Sequence, residues 1–72
     1  MKKVYRMEDL DCANCARKME DAIRKIKGVE SVNINFFTQK LTLEAQDDRF
    51  DEIAREAQKA CRRVEPDCRI LL

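Results

Sequence analysis

The chain has 72 residues, of which 44% are hydrophobic and 40% charged, so it predicts one small globular domain spanning residues 1–72. Fifteen Lys and Arg residues against fourteen Asp and Glu residues leave a net charge of +1, which argues against a nucleic-acid partner because such modules carry a clear basic excess. No apolar run approaches the roughly 18 residues of a membrane span, and the first residues lack the apolar core of a secretion signal, so we expect a cytoplasmic segment that does not insert into a membrane.

The first half of the chain predicts a strand, a helix and a second strand. Residues 3–7 are the expected first strand, and residues 8–14 are a polar loop. Apolar residues at helical spacing predict a helix from about Cys15 to Lys27, and Gly28 stands where a helix end favours a left-handed residue. Alternating apolar and polar residues then predict a half-buried strand from Val29 to Phe36.

The second half predicts a hairpin, a helix and a last strand. The hairpin connection, residues 37–40, contains no glycine, which leaves its turn type open. Asp47 or Asp48 is a suitable cap for the N-terminus of the following helix. The remaining elements are a strand over Leu41–Ala45, a helix over Phe50–Val64 and a strand over Cys68–Leu72.

The order strand, helix, strand, strand, helix, strand predicts an α+β fold. Two helices on one face of a four-stranded antiparallel sheet would bury the apolar stripe of every element. This is the ferredoxin-like βαββαβ sandwich.

The chain has four cysteines and no histidine. Without a secretion signal, reduced thiols are expected, and a C-x-x-C pair then indicates a metal or redox site. Because histidine is absent, any metal must be held by sulfur and oxygen. Cys12 and Cys15 follow the first strand and open the first helix, whose N-terminus stabilises thiolates through its partial positive charge and free N–H groups.

The segment Met7–Ala16 resembles the metal-binding segment of heavy-metal-associated domains, which include copper and zinc metallochaperones and the N-terminal domains of soft-metal P-type ATPases. The family motif is roughly G-M/L-x-C-x-x-C, and Leu10, Cys12 and Cys15 match it, whereas Asp9 replaces the glycine. The resemblance implies that the two cysteines bind the metal and that the leucine lies beneath the loop.

Asp11, directly before the first cysteine, bears on the choice of metal. The D-C-x-x-C form is similar to that of zinc-, cadmium- and lead-exporting ATPases. Two thiolates and one carboxylate carry three negative charges, so a divalent ion leaves −1 and a monovalent ion −2; one such charge–charge term is about 4 kcal/mol at 4 Å and a dielectric near 20. We therefore predict Asp11, Cys12 and Cys15 as ligands of Zn(II), Cd(II) or Pb(II). The alternative is that Asp11 is only a loop or helix-capping residue.

These features predict a binding domain, not an enzyme. It would bind and transfer a divalent soft metal as the N-terminal domain of a metal-exporting P-type ATPase, with other ATPase domains or a metallochaperone as partners, and it would be monomeric. The first alternative is a Cu(I) metallochaperone or a copper-ATPase domain. A thiol–disulfide oxidoreductase is the second, opposed by the absence of tryptophan from the chain.

The other two cysteines are expected in the core. Cys61 lies on the apolar stripe of the second helix, and Cys68 shares a strand face with Ile70. Free cysteine is among the most buried residue types. The alternative is that the fold brings these thiols, together with Glu65 and Asp67, next to the C-x-x-C loop.

Overall fold

Four strands and two helices account for most of the chain, and the computed structural model describes all of residues 1–72. A short 3-10 turn precedes the second helix. In chain order the elements are β1 (Lys2–Glu8), α1 (Ala13–Arg24), β2 (Val29–Asn35), β3 (Lys40–Ala45), the 3-10 turn (Asp47–Arg49), α2 (Phe50–Val64) and β4 (Arg69–Leu71).

The strands form one sheet in the order β2-β3-β1-β4, and every neighbouring pair is antiparallel. β1 and β3 are therefore central, and the Cα partners Arg6 and Lys40 pair at the end of the sheet where β1 leads into the loop before α1. β4 begins at the same end, since Glu8 pairs with Arg69. The predicted α+β ferredoxin-like βαββαβ architecture is confirmed.

The core consists of apolar and cysteine side chains alone. Its 18 buried residues form a single cluster that contains no polar or charged side chain. Alternation in the strands buries Leu41 and Leu43, and helical spacing buries Met19, Ile23 and Ile53 in the same cluster. The only side-chain atoms inside the core that could bind a metal are therefore sulfur atoms.

A helix side chain makes hydrogen bonds with one backbone residue on each sheet edge. On edge strand β2, the Ile34 N–H donates to Glu20 Oε2 of α1 at 2.7 Å. On edge strand β4, the Ile70 N–H donates to Gln58 Oε1 of α2 at 2.8 Å, and Gln58 Nε2 donates to the Ile70 carbonyl at 2.6 Å. Unpaired strand edges invite association with other chains, and these contacts reduce that exposure.

Gly28 connects α1 to β2 in the left-handed conformation expected of it, with φ of 98°. A Cβ atom at this position would lie 2.8 Å from Cδ1 of the fully buried Ile53. Both the backbone angle and the close approach of α2 therefore require glycine here.

Some predicted boundaries are wrong. Helix α1 begins at Ala13, two residues earlier than expected, and ends at Arg24. The capping role of Asp47 or Asp48 is wrong because the 3-10 turn carries both before α2 begins. Asp47 instead pairs with the Met1 amino group at 2.6 Å, at the end of the sheet opposite the loop before α1.

Neither helix has the length and apolar character needed to cross a membrane.

Candidate metal centre

Asp9–Cys12, the metal loop, is the four-residue connection between β1 and α1. Asp9 adopts a left-handed backbone with φ of 60°, which aspartate tolerates better than most residues and which the family glycine would adopt freely. The following residue, Leu10, is only 2% exposed. The loop is therefore anchored in the core two residues before the first cysteine, as the resemblance implied.

Cys12 is the N-cap residue of α1. Its backbone is extended, with φ of −135° and ψ of 119°, and its Sγ accepts the Cys15 N–H at 3.3 Å. The Ala16 N–H donates to the Cys12 carbonyl at 3.0 Å and closes the first turn. A sulfur atom thus takes the place of the usual capping oxygen, and the cap brings the two cysteines together at the helix N-terminus.

The two half-buried thiols differ in acidity. Hydrogen bonds from the Cys15 side chain and backbone lower the pKa of Cys12. The same side-chain bond, followed by burial and the charge of Cys12, raises the pKa of Cys15. Cys12 is therefore the more acidic thiol of the pair, and a soft cation binds cysteine in its deprotonated form.

Asp11 is exposed on the loop, and no three Cys, Asp or Glu side chains are assembled into a group that could hold a metal ion. The structure brings Cys12 and Cys15 together and leaves Asp11 outside the pair. A ligand role for Asp11 stays a prediction that requires its side chain to turn toward the sulfur atoms.

Cys61 and Cys68 are both fully buried, as predicted for core residues. Burial raises the pKa of Cys61 to about 12 and that of Cys68 to about 11. Cys68 nevertheless lies close enough to the metal loop that the charges of Glu65 and Asp9 contribute to its shift. Glu65 also contributes to raising the pKa of Cys15, so this half-buried carboxylate is a neighbour of the thiol pair.

Sequence analysis missed Gln39, which ends the turn between β2 and β3. Its side-chain amide makes hydrogen bonds with both backbone groups of Leu10 in the metal loop. The one available signal was the absence of glycine from this turn, which left the conformation of residues 37–40 undefined.

A two-layer βαββαβ domain that presents two thiols at the start of its first helix has the architecture of a surface metal-binding module. The profile of the heavy-metal-associated domain matches residues 4–63, and the chain belongs to this family.

The curated relatives are metal-transporting ATPases. The chain is 32% identical over 66 residues to the cadmium, zinc and cobalt-transporting ATPase of Bacillus subtilis, a match covering 92% of this chain and 9% of the relative. It is 39% identical over 56 residues to the zinc/cadmium/lead-transporting P-type ATPase of Escherichia coli, covering 78% of this chain and 8% of the relative. The chain thus spans less than a tenth of the length of these relatives.

Solved structures agree with the fold. The N-terminal domain of ZntA in the apo-form is 31% identical, with a TM-score of 0.74 and coverage of 99% of this chain and 92% of that domain. The CopZ metallochaperone has a TM-score of 0.77 over 99% of this chain and 100% of that chain, but at 17% identity this likeness shows the fold alone. The chain is homologous to the N-terminal domains of zinc- and cadmium-transporting ATPases.

Proposed function

We propose that this chain is the metal-binding domain of a P-type ATPase that exports divalent soft metals, Zn(II), Cd(II) or Pb(II). The observation that carries the proposal is the pair of sulfur atoms at the N-terminus of α1, with Cys12 as the N-cap and Cys15 in the first turn. The relatives that are 32% and 39% identical are named as transporters of these metals, which supports the choice of cargo.

In this proposal Cys12 and Cys15 bind the cation as thiolates, and Asp11 turns inward to add an oxygen ligand. Zinc prefers four ligands and accepts carboxylate oxygen, so water or a partner's side chain completes the shell. The exposed position of Asp11 on the loop supports its freedom to make this movement. The domain would act as a monomer on the cytoplasmic side and pass its metal to other ATPase domains or receive it from a metallochaperone.

The second candidate function is Cu(I) binding, as in a metallochaperone or a copper-ATPase domain. The specific observation in its favour is that two thiols are paired without a third assembled donor. Soft thiolates suit Cu(I), which needs fewer ligands than zinc does. The two candidates differ in what they require of Asp11.

Anaerobic titration with Zn(II), Cd(II) and Cu(I) tests the site. We expect one Cd(II) per chain, with sulfur-to-metal charge-transfer absorption at the two-thiolate level. Cys12→Ser and Cys15→Ser should each abolish tight binding while leaving the circular dichroism spectrum unchanged, because both residues lie in the loop and first helical turn and neither is fully buried. Full Cd(II) affinity in either variant would show that the site is elsewhere.

Asp11→Ala tests selectivity. We expect it to weaken Zn(II) and Cd(II) by about tenfold or more and Cu(I) much less, because it removes an oxygen ligand and a negative charge that the divalent ions use. Competition titrations against a chelator of known affinity measure the three constants.

The matched control is Asp48→Ala, which removes the same charge from an exposed position in the 3-10 turn. It should leave all three affinities unchanged. Equal losses for the three metals in Asp11→Ala would refute its ligand role.

A further inference from the structure

Two residues share an unusual backbone conformation at the same end of the sheet. Asp9 and Gln39 are the only non-glycine residues with positive φ, at 60° and 57°. Gln39 is bonded to the strand that leads to Asp9: the Met7 N–H donates to the Gln39 carbonyl at 2.8 Å, two residues before Asp9. Glutamine is not among the residues that adopt this conformation readily, so other interactions must offset the strain at Gln39.

The side-chain amide of Gln39 supplies these interactions. Its Oε1 accepts the Leu10 N–H at 3.2 Å, and its Nε2 donates to the Leu10 carbonyl at 2.7 Å and to the Phe36 carbonyl at 2.9 Å. One half-buried amide therefore holds both polar groups of a backbone residue in the metal loop and ties them to the β2–β3 turn. Because the Leu10 side chain is also buried, this residue is fixed at both its backbone and its side chain.

The other end of the metal loop is fixed by α1. Cys12 is the N-cap, held by the Cys15 N–H on its sulfur and the Ala16 N–H on its carbonyl. Asp11 is thus the single residue between two anchored ones, Leu10 and Cys12. If Leu10 becomes more mobile, the Cys12 sulfur atom becomes more mobile too, because only Asp11 lies between the two residues.

We propose that Gln39 is a positioning residue for the metal site: its amide fixes Leu10 and thereby holds Cys12 beside Cys15 before the metal arrives. This inference rests on the proposed role of the two thiols as metal ligands. Groups that hold ligands in place reduce the ordering required on binding, so their loss weakens the complex. Loss of the Gln39 amide should therefore speed metal release without touching a ligand.

The experiment compares Gln39→Met with a matched control, Gln58→Met. Gln58 forms the same two-way clamp on a backbone residue, Ile70, but on edge strand β4 outside the metal loop. Cd(II)-loaded proteins are mixed with excess chelator, and the loss of thiolate charge-transfer absorption gives the release rate. We expect Cd(II) release to be about 3- to 10-fold faster in Gln39→Met, which corresponds to the loss of one or two hydrogen bonds. The release rate should be unchanged in Gln58→Met.

A second variant separates positioning from stability. Gln39→Gly also removes the amide, but it relieves the positive φ and so offsets the loss of folding stability. It should release Cd(II) as fast as Gln39→Met. Equal release rates in Gln39→Met and Gln58→Met, or a parent-like rate in Gln39→Gly, would overturn the proposal and leave Gln39 a structural residue.

A metal-free measurement keeps this inference separate from the proposed function. Amide hydrogen exchange at Leu10, followed by NMR, should accelerate in both Gln39 variants and stay unchanged in Gln58→Met, because only Gln39 accepts that N–H. If the parent protein fails to bind Cd(II), the proposed function fails, whereas accelerated exchange still establishes the clamp. Unchanged exchange at Leu10 in the Gln39 variants would refute the clamp itself.

Discussion

At the scale of single residues, the four thiols are of two kinds that differ in burial. Cys12 and Cys15 are half-buried at the start of α1, whereas Cys61 and Cys68 are fully buried in the core. Burial is the main cause of the raised pKa at both core thiols, about 12 and about 11. The core pair therefore stays protonated in the native state at pH values where the unfolded chain has already ionised.

This difference predicts a pH-dependent stability. The native pKa of each core thiol lies above its unfolded value near 9, so the free energy of unfolding is full below about pH 9 and falls as the pH rises toward 11. The slope should approach about 1.4 kcal/mol per pH unit for each thiol. Urea denaturation of the metal-free protein at pH 8 to 10.5 measures it, and Cys61→Ala should reduce the slope by removing one thiol.

Thiol labelling of the metal-free protein is the control for that prediction. Iodoacetamide should modify Cys12 fastest, Cys15 with its raised pKa more slowly, and the core pair only at the rate at which the protein opens. Rapid modification of all four thiols, or an unchanged slope in Cys61→Ala, would contradict the burial of Cys61.

At the scale of elements, the junction between α1 and β2 is held by one position. Gly28 has a left-handed backbone, and α2 approaches it through Ile53. The sequence predicted the glycine's backbone conformation from its place after a helical stripe. It could not predict the contact with α2, because that contact depends on how the two helices pack.

Gly28→Ala should lower the free energy of unfolding by about 2 kcal/mol, since it combines a positive φ with a Cβ placed 2.8 Å from Ile53 Cδ1. Urea denaturation measures the loss. Ile53→Val removes that Cδ1 atom, so the double variant should lose less than the sum of the two single variants. If the two losses of stability are strictly additive, the positive φ of Gly28 is the whole cause of the loss in Gly28→Ala. If Gly28→Ala is as stable as the parent, neither the positive φ nor the contact with Ile53 requires glycine.

For the whole molecule, periodicity in the sequence predicted the six main elements and the sheet architecture. The alternating residues of β2 and the helical stripe of α2 each have one way to bury their apolar face, which made these elements predictable. The C-x-x-C site could be predicted because its two cysteines are only three positions apart and stand between the first strand and the first helix. The Gln39 clamp joins residues 29 positions apart, and the absence of glycine from the turn does not indicate which side chain bonds to Leu10.

The position of β1 in the sheet also separates the chain's first residue from the thiol pair. The Met1 amino group donates to the Ala45 carbonyl and forms an ion pair with Asp47 at one end of the sheet. β1 then runs its full length to the metal loop at the other end. Seven extended residues span about 23 Å at about 3.3 Å each. An affinity tag, a fluorophore or a biosensor surface joined through a linker at Met1 would therefore sit a strand's length from Cys12, leaving metal exchange at an immobilised domain unobstructed by its own attachment.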